Sequence, residues 1–140
     1  MALVLDTGVL YAALDTDDPD HDRCARLMEA SEEQLVIPSP VLVELDYWVR
    51  KFASADVWLA FCEDVHSGAY AIFALDAPLL LASAELQARY ADLPLGVVDA
   101  AVFVTCETLG EHKVATLDRR DFTALKTRDG KTLSLLPDVE

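Results

Sequence analysis

Four acidic residues, Asp6, Glu44, Asp99 and Asp118, are scattered along the chain, yet each ends an apolar strand-like run or lies within an amphipathic helix. Carboxylates delivered to one place repel one another, and divalent cations relieve that repulsion. A carboxylate-held Mg²⁺ or Mn²⁺ is suited to cutting phosphodiesters. It binds a non-bridging phosphate oxygen and lowers the pKa of a coordinated water, so that hydroxide is available for in-line attack. Two ions about 3.5 to 4 Å apart would stabilise both attacking and leaving oxygens, but four carboxylates leave the metal count open. Glu44 is a candidate for orienting the attacking water. Thr7 and Thr116 carry hydroxyls that suit either fixing a carboxylate or phosphate, or a plain turn or cap.

Each acid has an ordinary reading when taken singly. Asp at a helix start complements the helix dipole, and Glu is common on exposed helix faces. The surroundings argue for more: Asp6 directly ends Ala2-Leu3-Val4-Leu5, Glu44 lies between Val43 and Leu45, and Asp99 lies between Val98 and Ala100. Solvated charges seldom have such neighbours.

The elements that must position these acids can be read in order. Ala2 to Leu5 reads as a buried strand, turning at Asp6-Thr7-Gly8 into a helix over Val9 to Leu14. Asp15 to Asp20, with four Asp and a Pro, is a loop. Pro19 or Asp20 then opens an amphipathic helix to about Ala30, and Gln34 to Ile37 is a second strand. Ser39-Pro40 reads as an N-cap with Pro at the first helical position, and Glu44 falls about one turn into that helix. Ser54 starts a helix over Ala55 to His66 that Gly68 stops. The apolar stretch Ala69 to Leu75 suits a buried strand, the third, over Ala69 to Ala74, and Asp76 with Pro78 begins a helix ending near Tyr90. Gly96 and Gly110 bracket a helix over Val97 to Leu109, with Asp99 in its first turn. Lys113 to Thr116 is a strand whose tip delivers Asp118, Asp121 to Leu125 a helical turn, and Leu133 to Leu136 a fifth strand. Strands alternating with helices indicate an α/β fold with a mostly parallel sheet. Ligands in such folds bind at the carboxyl ends of the strands, where Asp6 and Asp118 fall and where Glu44 and Asp99 can reach from helix starts.

At 140 residues the chain reads as one domain, 1–140, able to bury about 70% of the surface its unfolded form would expose. No internal repeat or linker interrupts it. The start is too short and lacks the basic residues of a signal peptide, and no apolar stretch reaches the roughly 18 residues of a membrane span, so a cytoplasmic location is expected. Cys24, Cys62 and Cys106 are widely spaced, and His21, His66 and His112 form no metal-binding pair. This argues against a disulfide framework and against zinc hydrolysis. The formal charge of −14 is unusual for a protein that meets a phosphate backbone. Its distribution softens the objection, because Lys113, Arg119, Arg120, Lys126, Arg128 and Lys131, six of the eleven basic residues, fall in the last 28 positions, while the first half is dominated by Asp and Glu. Arg119 and Arg120 stand beside the acids and suit phosphate contact or plain solvation; Tyr11, Tyr47 and Trp48 offer aromatic faces for stacking or packing.

The sequence resembles the PIN-domain ribonucleases, and within them the VapC toxins of bacterial toxin–antitoxin pairs. Four blocks carry the resemblance across nearly the whole chain: Leu5-Asp6-Thr7-Gly8, Ser39-Pro40-Val41-Leu42-Val43-Glu44-Leu45, Leu95-Gly96-Val97-Val98-Asp99-Ala100-Ala101, and Ala115-Thr116-Leu117-Asp118-Arg119-Arg120-Asp121-Phe122. The resemblance implies a three-layer α/β/α sandwich, an acidic pocket for Mg²⁺ or Mn²⁺, and endonucleolytic cleavage of RNA. By position, Asp6 and Asp99 match the main metal ligands, Glu44 and Asp118 complete the pocket directly or through water, and Asp121 is a reserve candidate beside Phe122.

The resemblance also implies homodimerisation and capture of a VapB antitoxin segment. Trp48, Phe52, Trp58 and Phe61 on consecutive helices supply apolar surface, part of it core and the rest a partner groove. An acidic chain would favour a basic inhibitor segment. Two rival readings stand beside this one. In a receiver-like signalling module, Asp76 would accept a phosphoryl group, but no Lys follows the fifth strand to contact it. In a catalytically inactive PIN-like binding module the acidic positions need not be filled, yet all four are.

Overall fold

The computed structural model describes residues 1–138; the last two positions of the expected domain lie outside the described residues. Three strands run parallel, β1 (Ala2–Val4), β2 (Gln34–Pro38) and β3 (Ala71–Phe73), with Val4 opposite Val36 and Val36 opposite Ala71. A second parallel pair, β4 (Lys113–Ala115) and β5 (Ser134–Leu136), sets Val114 opposite Leu135. Leu5 bridges Ala115, and the Asp6 N–H donates to the Ala115 carbonyl at 2.9 Å, giving the order β3-β2-β1-β4-β5. β1 is thus central. Leu3, Val4 and Leu5 are all buried, as an uninterrupted apolar run in a strand covered on both faces should be.

Helices fill the connections: α1 (Thr7–Leu14), α2 (His21–Ala30), α3 (Ser39–Phe52), α4 (Ala55–His66), α5 (Ala77–Arg89), α6 (Val97–Leu109) and the short α7 (Arg119–Ala124). The architecture is an α/β sandwich in which α1 packs on α2 and α3, and α5 on α6. α6 is the most enclosed helix. It packs against β1, β2, β4 and α3, and every residue from Ala100 to Cys106 is buried. Its sequence is accordingly apolar around most of its circumference rather than along one stripe. Gly110 ends it in the left-handed conformation at φ 70°, where other side chains are disfavoured. The Asp15–Asp20 loop is held by Asp15 and Asp18 carboxylates accepting the N–H groups two residues on.

Several sequence expectations need correction. The first helix begins at Thr7, two residues early, because the Asp6 carboxylate caps it. Ser39 is not a cap: Pro38 holds the N-cap position, and the Ser39 hydroxyl accepts the Leu75 N–H at 2.9 Å, tying α3 to the start of α5. The third strand is shorter than Ala69 to Ala74 and is not buried. β3 is the edge of the sheet, and Ile72 remains 51% exposed. Of Trp48, Phe52, Trp58 and Phe61, expected to share core and partner surface, Phe61 is core, Trp48 and Trp58 are half-buried, and Phe52 is exposed. Cys24 and Cys106 are buried thiols, and Cys62 is half-buried.

Lys113 does not join a positive field at the acidic rim. It opens β4 at the opposite edge, where its Nζ bonds Glu33 at 3.0 Å and Glu111 at 2.9 Å. Glu111 also accepts the Ala2 N–H at 2.9 Å, so this network staples the starts of β1 and β4 together.

Candidate functional site

Asp6 emerges from the central strand and caps α1. One carboxylate oxygen accepts the Thr7 N–H at 2.8 Å, and the other accepts the Thr116 hydroxyl at 2.8 Å. The same Thr116 oxygen accepts the Asp118 N–H at 3.0 Å, so a single hydroxyl couples the tips of β1 and β4. Asp118 in turn caps α7 by accepting the Asp121 N–H at 3.3 Å. α7 is pinned beneath by Phe122, which is fully buried.

Asp99 reaches the same place from the first turn of α6. Carboxylate oxygens of Asp99, Asp118 and Asp121 lie within 4.8 Å of one another, with all three side chains half-buried. Asp121, held only in reserve on sequence grounds, therefore stands inside the closest carboxylate group, while Asp6 and Glu44 are outside it. Its signal was the three-residue spacing from Asp118, which brings both acids to one side of a helical turn. Glu44 is half-buried on α3, close enough to bear electrostatically on Asp6 and Asp99.

The electrostatics follow from burial first and repulsion second. Burial pushes the Asp6 carboxyl up to about 6, against the opposing hydrogen bonds from Thr116 and Thr7, with Glu44 and Asp118 adding repulsion. Asp99 rises to about 7, again chiefly by burial, and then by the charges of Asp6, Asp118, Asp121 and Glu44. Asp121 is also raised, through burial and the nearby Asp118. A cluster of acids that binds protons this avidly is short of positive charge.

The donor set suits a hard divalent cation, which prefers several carboxylate oxygens to nitrogen or sulfur ligands. A further feature fits: the Thr7 hydroxyl, next to Asp6, is buried with no hydrogen-bond partner among the described residues. Buried hydroxyls of that kind are uncommon and call for an explanation.

The remaining candidates separate clearly. Arg119 and Arg120 are exposed at the start of α7, immediately after Asp118. Tyr11 is turned to structure: its hydroxyl donates to Asp15 at 2.6 Å, and its ring meets Trp48 edge-on at 6.1 Å. Tyr47 is exposed and accepts a hydrogen bond from the Lys51 ammonium. A cleft of about 490 Å³ lies between the second half of α5, the end of α6 and residues 127–129, and no acid of the cluster lines it. The receiver-like alternative is not favoured, because Asp76 follows the edge strand and its carboxylate is engaged in capping α5 through the Leu79 N–H.

A parallel sheet with carboxylates from two strand tips and two helices gathered at its carboxyl edge defines the acid-pocket class of α/β nuclease domains. The PIN domain family model matches residues 3–127, and the chain belongs to that family. Ribonuclease VapC26 of Mycobacterium tuberculosis is 30% identical over 135 residues, covering 96% of this chain and all of that one. Among solved structures, Mycobacterium tuberculosis VapC20, described as a sarcin-ricin loop cleaving toxin, superposes with a TM-score of 0.80 at 19% identity, over 89% of this chain and 95% of that one. DNA-bound VapBC of Salmonella typhimurium gives 0.68 at 21% identity over 96% of each chain. Among the described residues no helix is long and apolar enough to cross a membrane.

Proposed function

We propose that this chain is a divalent-metal-dependent endoribonuclease acting as the toxin of a VapBC-type pair, its single domain hydrolysing RNA phosphodiester bonds at the acidic rim. The observation that carries the reading is the convergence of Asp99, Asp118 and Asp121 beside a buried Asp6. Asp6 and Asp99 are assigned as the principal Mg²⁺ or Mn²⁺ ligands, with Asp118 and Glu44 completing the pocket and Asp121 joining it. The bound cation supplies neutralisation of the carboxylates, a grip on the phosphate, and a lowered pKa for water. The chain's own contribution is orientation. Thr116 and the Thr7 N–H fix the Asp6 carboxylate, the Asp121 N–H fixes Asp118, and burial keeps competing water away from Asp6.

The partners follow from the same family. VapBC complexes are among the solved structures of similar fold, and a basic antitoxin segment suits a chain of charge −14. Exposed Val43, Tyr47, Phe52 and Leu59 on α3 and α4 give apolar surface for that segment or for a second copy in a homodimer.

RNA cleavage by wild type, Asp6→Asn and Asp99→Asn, with Mg²⁺ or Mn²⁺ and with EDTA, tests the assignment. Wild type should cleave only with metal, and each variant should lose at least about 100-fold, the scale expected when a charge-stabilising group is removed. Equal cleavage by all three proteins would remove the acids from the chemistry.

A further inference from the structure

We infer that Arg119 and Arg120 form the phosphate clamp that seats a single-stranded RNA backbone across the acidic rim, a proposal that rests on the ribonuclease reading. An acidic pocket repels the polyanion it must cut, so the substrate needs cationic groups close by that leave the carboxylates free. The basic residues of this chain are mostly committed or placed elsewhere. Arg23 pairs with Asp20, Arg50 with Asp46, and Lys113 with Glu33 and Glu111 at the opposite edge. Arg89 and Arg128 line the remote cleft among Glu85, Glu107, Glu111 and Asp129. Arg119 and Arg120 differ in place: they directly follow Asp118, both are exposed, and neither makes an ion pair among the described residues.

Their backbone is held although their side chains are free. The Asp118 carboxylate caps the turn, the Thr123 hydroxyl donates to the Arg120 carbonyl at 3.1 Å, and the Arg119 N–H donates to the Leu117 carbonyl at 3.1 Å. Phe122 locks the same turn into the core. Two guanidiniums are thus presented on a fixed base next to the cluster. The guanidinium fork suits phosphate oxygens bidentately, and contacts to phosphate orient a strand without reading its bases. The clamp positions RNA and takes no part in bond breaking.

Fluorescence anisotropy of a short labelled single-stranded RNA, titrated over a range of salt in Ca²⁺, tests this, with a gel to follow strand integrity. Arg119→Ala/Arg120→Ala should bind at least about tenfold more weakly, and its log–log salt slope should flatten by about 1.4, the release expected for two phosphates on a single strand. Arg119→Lys/Arg120→Lys should keep the wild-type slope, since the charge remains. In Mg²⁺ the alanine pair should raise KM while kcat at saturating RNA stays within about threefold of wild type. Lys126→Ala/Arg128→Ala, removing two charges elsewhere on the chain, should leave all these values unchanged. An unaltered slope in the 119/120 pair, an equal loss in the 126/128 pair, or a collapse of kcat at unchanged affinity would each overturn the clamp. Failure of the ribonuclease reading shows separately, as an absence of metal-dependent cleavage by the wild-type protein, because the binding slope is measured without cleavage.

Discussion

Thr116 is the residue on which the geometry of the site turns. Its hydroxyl donates to Asp6 and accepts from the Asp118 N–H, and it is 1% exposed, so no water can replace it without rearrangement. Thr116→Val keeps the shape but leaves a buried carboxylate oxygen and an amide N–H unpaired. Unpaired buried groups cost about 1 to 3 kcal/mol each. Denaturant unfolding in EDTA should show a loss of that order, and the extra stability gained on adding Mn²⁺ should shrink in the same variant. Thr116→Ser should restore both, since Ser keeps the hydroxyl. A Val variant with normal stability and normal Mn²⁺ response would remove Thr116 from the support of Asp6. Asp6 and Asp99 were legible in the sequence because a charge embedded in apolar neighbours is conspicuous. The role of Thr116 was left open between cap and carboxylate holder, because its partner stands 110 residues away and no local pattern records that distance.

At the scale of elements, α7 carries Asp121 and two arginines on six residues, with Asp118 at its N-cap, too short a helix to be stable by propensity. Its anchor is Phe122, whose ring is fully buried among the core residues. Phe122→Ala should destabilise the protein by about 3 to 5 kcal/mol, while Phe122→Leu, closer in volume, should lose less than half of that. Asp118 and Asp121 flank the anchor, so the alanine variant should also weaken Mn²⁺ binding by isothermal titration under conditions where it remains folded. An alanine variant with unchanged stability would mean that α7 is held by its caps alone. α6 was legible to the residue, since Gly96 and Gly110 punctuate an apolar run and Asp99 stands three positions in. β3 was misjudged as buried because burial depends on strand order. Order is set by which crossovers pack together, and an apolar run reads alike at the centre and at the edge of a sheet. Ser39 misled for a related reason: Ser-Pro is a capping signal, but the Leu75 N–H captured its hydroxyl from 36 residues away.

Across the whole molecule, the negative charge divides into the acids clustered at the sheet edge and the carboxylates spread over the rest of the surface, and pH separates them. The carboxyls of Asp6 and Asp99 sit near 6 and 7 in the folded protein, against 3.8 ordinarily, so the folded state holds protons that the unfolded chain has already released. Stability from these groups is therefore complete below pH 4, declines as pH rises through 4 to 7, and stays reduced above that. A divalent cation, which needs the ionised carboxylates, should reverse the loss where it is greatest. In EDTA, Asp99→Asn should melt above wild type at pH 8, by about 2 to 5 °C for a chain of this size, with the gap closing toward pH 5. The shift is modest because Asp99 is half-buried and water screens part of the repulsion. Millimolar Mg²⁺ or Mn²⁺ at pH 8 should raise wild type past the variant, and the same addition at pH 5 should do much less. Surface carboxylates elsewhere do not distinguish the two proteins, so differencing their melts cancels the general repulsion of a −14 chain. A gap independent of pH and metal would show that the loss at position 99 is one of packing, and would take the cation out of the account of how this acidic rim is held together.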